Sequence, residues 1–161
     1  MNPAEAVSAI IKAAGGRVEG AKKLQKLVYL ANKAGFRTRH PFTYHYYGVY
    51  SSTLDRDLWS APELISVKSD GSPDSRNDFE LVNPNAVTCD MNNPALKLVA
   101  RLANEEARTL EVLSTIVYVR SLGIDGDGLK RKVEELKGRI PKQFHDNAWK
   151  LYHELGFDKQ G

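Results

Sequence analysis

The chain has 161 residues, and 23 Lys/Arg against 20 Asp/Glu leave a formal charge of +3 with neutral histidines. That length suits one compact domain spanning 1–161, and 42% hydrophobic residues with so small a net charge exclude an intrinsically disordered chain. No apolar run reaches the roughly 20 residues a spanning helix needs. No basic residue precedes the short apolar stretch of the N-terminus, and the one cysteine, Cys89, permits neither an internal disulfide nor a cysteine zinc site. The expected setting is the reducing cytoplasm, without membrane contact.

Residues 3–14 are predicted as a helix: Pro3 suits its first turn, Ala6, Val7, Ile10, Ile11 and Ala14 recur at helical spacing, and Gly15 and Gly16 stop it. A second helix is predicted over 20–34, where Leu24, Leu27, Val28, Ala31 and Ala34 repeat and Gly35 ends the pattern. The tyrosine-rich TYHYYGVYSS favours one extended segment ending at Gly48, after which Ser51 or Ser52 caps a short helix through Trp59. ELISVKS and NDFELV flank a turn-rich DGSPDSR and predict a hairpin with a long tip. Helices follow over 94–105 and 109–122, the second apolar on most of its circumference and therefore central. Gly126 and Gly128 break the chain before a charged helix ending near Lys137. Pro141 breaks it again before a helix over about 143–155 with Phe144, Ala148, Leu151 and Leu155 on one face.

The fold class expected from this order is mainly α with a small β-hairpin (α+β). A winged-helix-like part over 1–85 comes first, and a C-terminal helical bundle over 92–157 packs back on it.

Two segments stand out together: KKLQKLVYLANKAGF at 22–36 and YHYYGVYSSTLDRDL at 44–58. They resemble the family of small, mostly uncharacterised bacterial and archaeal proteins typified by YwgA, related to the Panacea, or SocA-like, antitoxin domains. Those proteins carry a Lys-Leu-Gln-Lys-Leu-x-Tyr helix, then a Tyr/Phe-x-Tyr-Gly-Pro-Tyr-Ser segment opening the next helix. The matching positions are Lys23, Leu24, Gln25, Lys26, Leu27 and Tyr29, then Tyr47, Gly48, Tyr50, Ser51 and Leu54. Val49 departs, standing where the pattern has proline; the turn loses a fixed φ and keeps its capping serine. The resemblance covers about residues 15–60. It implies a winged-helix-like core and, as in the Panacea relatives, a role in binding and neutralising a toxin protein; it implies no reaction.

Within the first segment Leu24, Leu27, Val28 and Ala31 are predicted to pack inward. Lys22, Lys26, Tyr29 and Lys33, at spacings of four, three and four, are predicted to line one outer stripe. Such a stripe can contact phosphate, stack a base or seat an acidic protein patch. The alternative is a solvated lysine face with Tyr29 lying on a neighbouring helix. Gln25 is expected to be half buried and bonded to a loop. Among Tyr44, Tyr46, Tyr47 and Tyr50, most rings are expected to fill core and one or two to stand out as interface anchors.

The small total charge conceals a division. Residues 1–50 sum to +6, residues 51–90 to −5 and residues 91–161 to +2. The acidic third holds the helix in recognition position, with Asp55 and Asp57 against Arg56, and a hairpin with Asp70, Asp74 and Asp78 against Lys68 and Arg76. Carboxylates facing a phosphate-lined groove oppose binding, which disfavours a DNA reader and favours a protein partner.

No catalytic constellation is apparent. His40, His45, His145 and His153 show no metal-ligand spacing, and Cys89 has no adjacent cation to activate it. Arg139 and His145 share an Arg-x5-His spacing known from helical RNases, but Pro141 lies between them. DGDG at 125–128 lacks the further acids of a calcium loop and serves as a capping turn. The expectation is a non-enzymatic, protein-binding regulator without cofactor or metal, an antitoxin or an adaptor, with a toxin among the candidate partners. Its binding residues would be Lys22, Lys26, Tyr29, Lys33, Tyr50 and Arg56. The alternative is a DNA-binding transcriptional regulator of winged-helix type. A homodimer paired through the 109–122 helix or the C-terminal helix is left open.

Overall fold

A computed structural model describes residues 1–69 and 76–159. The chain is mainly helical with small antiparallel sheets, an α+β protein. The elements run α1 (Pro3–Ala13), β1 (Arg17–Glu19), α2 (Ala21–Lys33), β2 (Thr43–His45), β3 (Gly48–Tyr50), α3 (Ser52–Ser60), β4 (Ile65–Ser69) and β5 (Asn77–Leu81). Then come α4 (Pro94–Leu102), α5 (Ala107–Ser121), α6 (Gly126–Lys137) and α7 (Lys142–Glu154).

The helix ends follow from local chemistry. Asn2 caps α1, its side chain accepting from the Glu5 amide at 2.9 Å, with Pro3 in the first turn. Ser51 caps α3 through the Leu54 amide, so of the two serines weighed from sequence it is the first that caps. Pro94 opens α4 behind Asn93, which accepts from the Ala95 amide at 2.9 Å. At 125–128 Asp125 caps α6 and both glycines lie inside its first turn. The expected break at Gly126 and Gly128 is therefore displaced to the residues just before Asp125. Gly126 supplies a positive φ of 58° there.

The sheet differs from expectation. The predicted 63–82 hairpin is present as β4 and β5, but β1 pairs antiparallel with β5, giving the order β1-β5-β4. A strand of three residues is too short to show a period. Only Val18, buried opposite Phe79 between exposed Arg17 and Glu19, marks it. Arg17 pairs with Asp78 at 3.0 Å and Arg76 with Glu19 at 3.2 Å across the strands, so Arg76 and Asp78 serve the sheet. Asp70 and Asp74 lie outside the described residues. A second departure is at 43–50. The expected single extended segment folds on itself as a tight hairpin, β2 against β3, turning through Tyr46 and Tyr47.

The core is continuous from Val7 in α1 to Phe157 beyond α7. At its centre α5 packs against α7, α2, α6 and β3, and α4 packs on α1 and α2. The later helices thus lie on the first two as one body. Because α5 is covered within its own chain, its apolar surface is not free to form the dimer seam considered from sequence. In α7, Phe144, Ala148 and Leu151 face inward as expected, while Leu155 closes the helix half buried.

Candidate functional site

The two sequence segments meet in space. Leu24, Leu27, Val28 and Ala31 are fully buried, as their spacing requires, but so are residues assigned to the outer stripe. Lys26 is 2% exposed and Tyr29 3% exposed; only Lys22 and Lys33, at opposite ends of α2, reach solvent. The stripe is therefore not a surface. Helical spacing places residues on a face without saying what covers it, and here α5 and the β2–β3 hairpin lie over the face assigned to water.

Beneath that hairpin sits a buried cluster of charges. Lys26 Nζ donates to the Val49 carbonyl at 2.7 Å. Lys137 Nζ, from the end of α6, donates to the Tyr46 carbonyl at 3.1 Å and to Glu111 Oε2 at 2.8 Å. Lys22 reaches the other oxygen of Glu111 at 3.4 Å. Glu111 is thus the one carboxylate among three amines in the cluster, and Glu111, Lys26 and Lys137 are each almost wholly buried. Burial pushes the Lys26 amine down to about 7; Glu111 opposes that fall and the charges of Lys137 and Lys22 add to it. Gly48 lets the hairpin approach: its φ is +95°, and a Cβ there would stand 3.4 Å from Lys26 Nζ. Gln25 completes the seat, bonding both backbone groups of Ser51. It is 3% exposed, so it lies deeper than expected.

Above the cluster the hairpin presents aromatic rings. Tyr44 turns inward, stacked on Tyr118 at 4.9 Å with its hydroxyl 3.1 Å from that of Thr115, and burial raises its phenol. Tyr46 and Tyr47, in the turn, are 67% and 58% exposed, and Tyr50 is 37% exposed. The turn is nevertheless held firmly. Arg139 lies over the Tyr46 ring at 4.1 Å and donates to its carbonyl at 3.4 Å. Lys22 lies over the Tyr47 ring at 4.3 Å. Arg56 stands exposed on α3, 4.0 Å from Asp57. Of the residues selected from sequence, Lys22, Tyr50 and Arg56 reach the surface on these elements, Lys26 braces the turn from inside, and Tyr29 and Lys33 lie further along α2. Lys23, also in the motif, donates to the Ala103 carbonyl at 2.5 Å and so ties α2 to the end of α4.

Sequence reasoning missed Glu111, Lys137 and Arg139, which come from distant helices. The available signal was Glu111 itself, one carboxylate inside the otherwise apolar TLEVLSTIVYV. Among the described residues no three of His, Cys, Asp and Glu are grouped to hold a metal ion, and no helix is long and apolar enough to cross a membrane. Arg139 stands before Pro141 and His145 after it; His145 Nε2 donates to the Lys137 carbonyl at 2.8 Å. Cys89 is half buried, contacts the Ala9 carbonyl at 3.6 Å, and burial raises its thiol.

No family model matches the chain. It is 28% identical over 149 residues to the uncharacterized protein YwgA of Bacillus subtilis (strain 168), an alignment covering 87% of this chain and 89% of that one. The match extends well past the two motif segments and supports a place among YwgA-like proteins.

Proposed function

We propose that this chain is a non-enzymatic, protein-binding regulator that takes its partner on the tyrosine turn between β2 and β3. The observation that carries this reading is exposure combined with bracing. Tyr46 and Tyr47 project into solvent, while Lys137 and Arg139 grip the turn's carbonyl and Lys26 that of Val49. Large rings on a rigid backbone surrender little freedom on binding, and Tyr and Arg dominate interface hot spots. The neighbouring Lys22 and Arg139, which lie over the Tyr47 and Tyr46 rings, favour an acidic patch on the partner.

The order α1-β1-α2-α3-β4-β5, interrupted between α2 and α3 by the separate β2–β3 hairpin, and the placing of β1 beside β5 support a winged-helix scaffold for this surface. The resemblance to Panacea-type antitoxins makes a toxin protein the partner class we propose. The DNA-binding alternative loses its main carrier with Lys26 buried, and α3 still sets Asp55 and Asp57 against Arg56.

The test uses the tagged full chain from its native host, followed by reconstitution of the purified pair. One host protein should bind at equal stoichiometry. The double substitution Tyr46→Ser, Tyr47→Ser should weaken it about tenfold or more without lowering Tm. Co-expression should also relieve growth arrest caused by that protein. Equal affinity of the wild-type and doubly substituted chains would sink the proposal.

A further inference from the structure

We infer that the cavity bounded by the end of α2, the 37–42 loop and the end of α5 binds a small phosphomonoester with a planar organic part, of mononucleotide size. Its volume is about 490 Å³, within the usual span of ligand pockets. Lys33, Arg37 and Arg39 line it, no acidic residue does, and none of the three forms an ion pair with a described residue. The nearby carboxylate of Asp57 is already engaged, 2.7 Å from His40 Nε2. Three cations without a counter-charge match a dianion, and two guanidinium forks suit the tetrahedral oxygens of a phosphate.

The loop is built to hold these arginines out. Asn32 accepts from the Thr38 amide at 2.9 Å and donates to the Thr38 hydroxyl at 3.0 Å, and that hydroxyl lies 2.8 Å from His40 Nδ1. Thr38 and His40 are thereby buried, and Arg39 between them is forced to a φ of +68°. Among the described residues it is the one non-glycine with positive φ, a strain that neighbouring bonds over-determine.

Tyr29 lines the cavity and is 3% exposed, with its hydroxyl closed off from solvent beside Ser121. Burial pushes the phenol up, and the neighbouring Ser121 hydroxyl opposes that rise. Tyr29, Phe42 and Tyr118 supply aromatic wall for a flat group.

The test is calorimetry on the full chain at low ionic strength with adenosine monophosphate, inorganic phosphate, adenosine and a short DNA duplex as probes. The nucleotide should bind in the micromolar range, weaken as salt rises, and bind more tightly than phosphate or adenosine alone. Arg37→Ala with Arg39→Asn, the latter tolerant of positive φ, should cost about a hundredfold. No heat from the nucleotide, or affinity indifferent to the arginine substitutions, overturns the site. Equal binding of inorganic phosphate overturns the planar half, equal binding of adenosine overturns the phosphate half, and duplex binding through the same arginines without nucleotide binding assigns the surface to nucleic acid instead.

Discussion

Gln25 and Ser51 exchange a pair of hydrogen bonds: the Gln25 amide donates to the Ser51 carbonyl at 2.9 Å, and the Ser51 amide donates to Gln25 Oε1 at 2.9 Å. A side chain here stands in for a neighbouring strand and fixes where α3 begins relative to α2. Both partners are buried, so removing the side chain strands two backbone groups away from water. Gln25→Ala should therefore destabilise by about 2–4 kcal/mol in urea unfolding. Gln25→Glu should be no better despite its shape, because a carboxylate oxygen would face the Ser51 carbonyl. A loss within about 0.5 kcal/mol, the range of ordinary surface changes, would mean water replaces the pair.

Glu111 balances the buried amines. With Oε2 at 2.8 Å from Lys137 and Oε1 at 3.4 Å from Lys22, its neutralisation leaves Lys137 and Lys26 inside the protein without a counter-ion. Glu111→Gln should cost about 3–5 kcal/mol at neutral pH, as for other broken buried pairs. Adding Lys137→Met should recover part of that loss, and a double-mutant cycle on urea midpoints measures the coupling. Strict additivity of the two losses would show that the pair is not coupled.

Gly48 is held at φ +95°, where a side chain is strained, with Lys26 Nζ and Glu111 Cγ next to the place a Cβ would occupy. Gly48→Ala should lower stability by about 1–2 kcal/mol, read from the thermal midpoint. It should also weaken binding at the tyrosine turn. Preserved stability with full binding would mean the hairpin does not depend on this bend.

The helices were legible because each carries its signals locally: Asn2 and Pro3 before α1, Ser51 before α3, and a buried α5 written as TLEVLSTIVYVRS. The order of helices and the β4–β5 hairpin was also visible, apart from β1, whose three residues give no periodicity. The candidate site was half legible. The motif pointed to Lys26, Gln25, Gly48 and Ser51, but their roles depend on groups remote in sequence. Lys26 looked like a surface lysine because helical spacing marks it as outside the Leu24–Leu27 face. Only the fold brings Glu111, Lys137 and the Val49 carbonyl to it. The loop at 37–40 received no role from sequence, since nothing local announces that Asn32 and His40 pin it.

Lys26 should make stability depend on pH in a defined window. Its amine titrates near 7 in the folded chain against an ordinary 10.5 when unfolded, chiefly because burial removes water from the charge. Between those values the unfolded chain holds a proton that the folded chain has released, so raising pH favours folding. Below 7 the group is charged in both states, and the cost of burying it is fully present. Stability should therefore climb from about pH 7 towards about pH 9.5, by at most about 1.4 kcal/mol per pH unit. Holding the upper limit there keeps the raised phenols of Tyr29 and Tyr44 protonated. Lys23, whose amine is also lowered by burial, adds a smaller rise of the same sign. Lys26→Met keeps the apolar stem and removes the titrating group. It should flatten most of the slope, and near pH 6.5 it should match or exceed the wild type if relief of the buried charge outweighs the bond lost at the Val49 carbonyl. Urea midpoints at about pH 6.5, 8 and 9.5 for both chains decide the matter. A wild-type midpoint that stays level, or a slope that survives Lys26→Met, would show that Lys26 keeps its proton throughout.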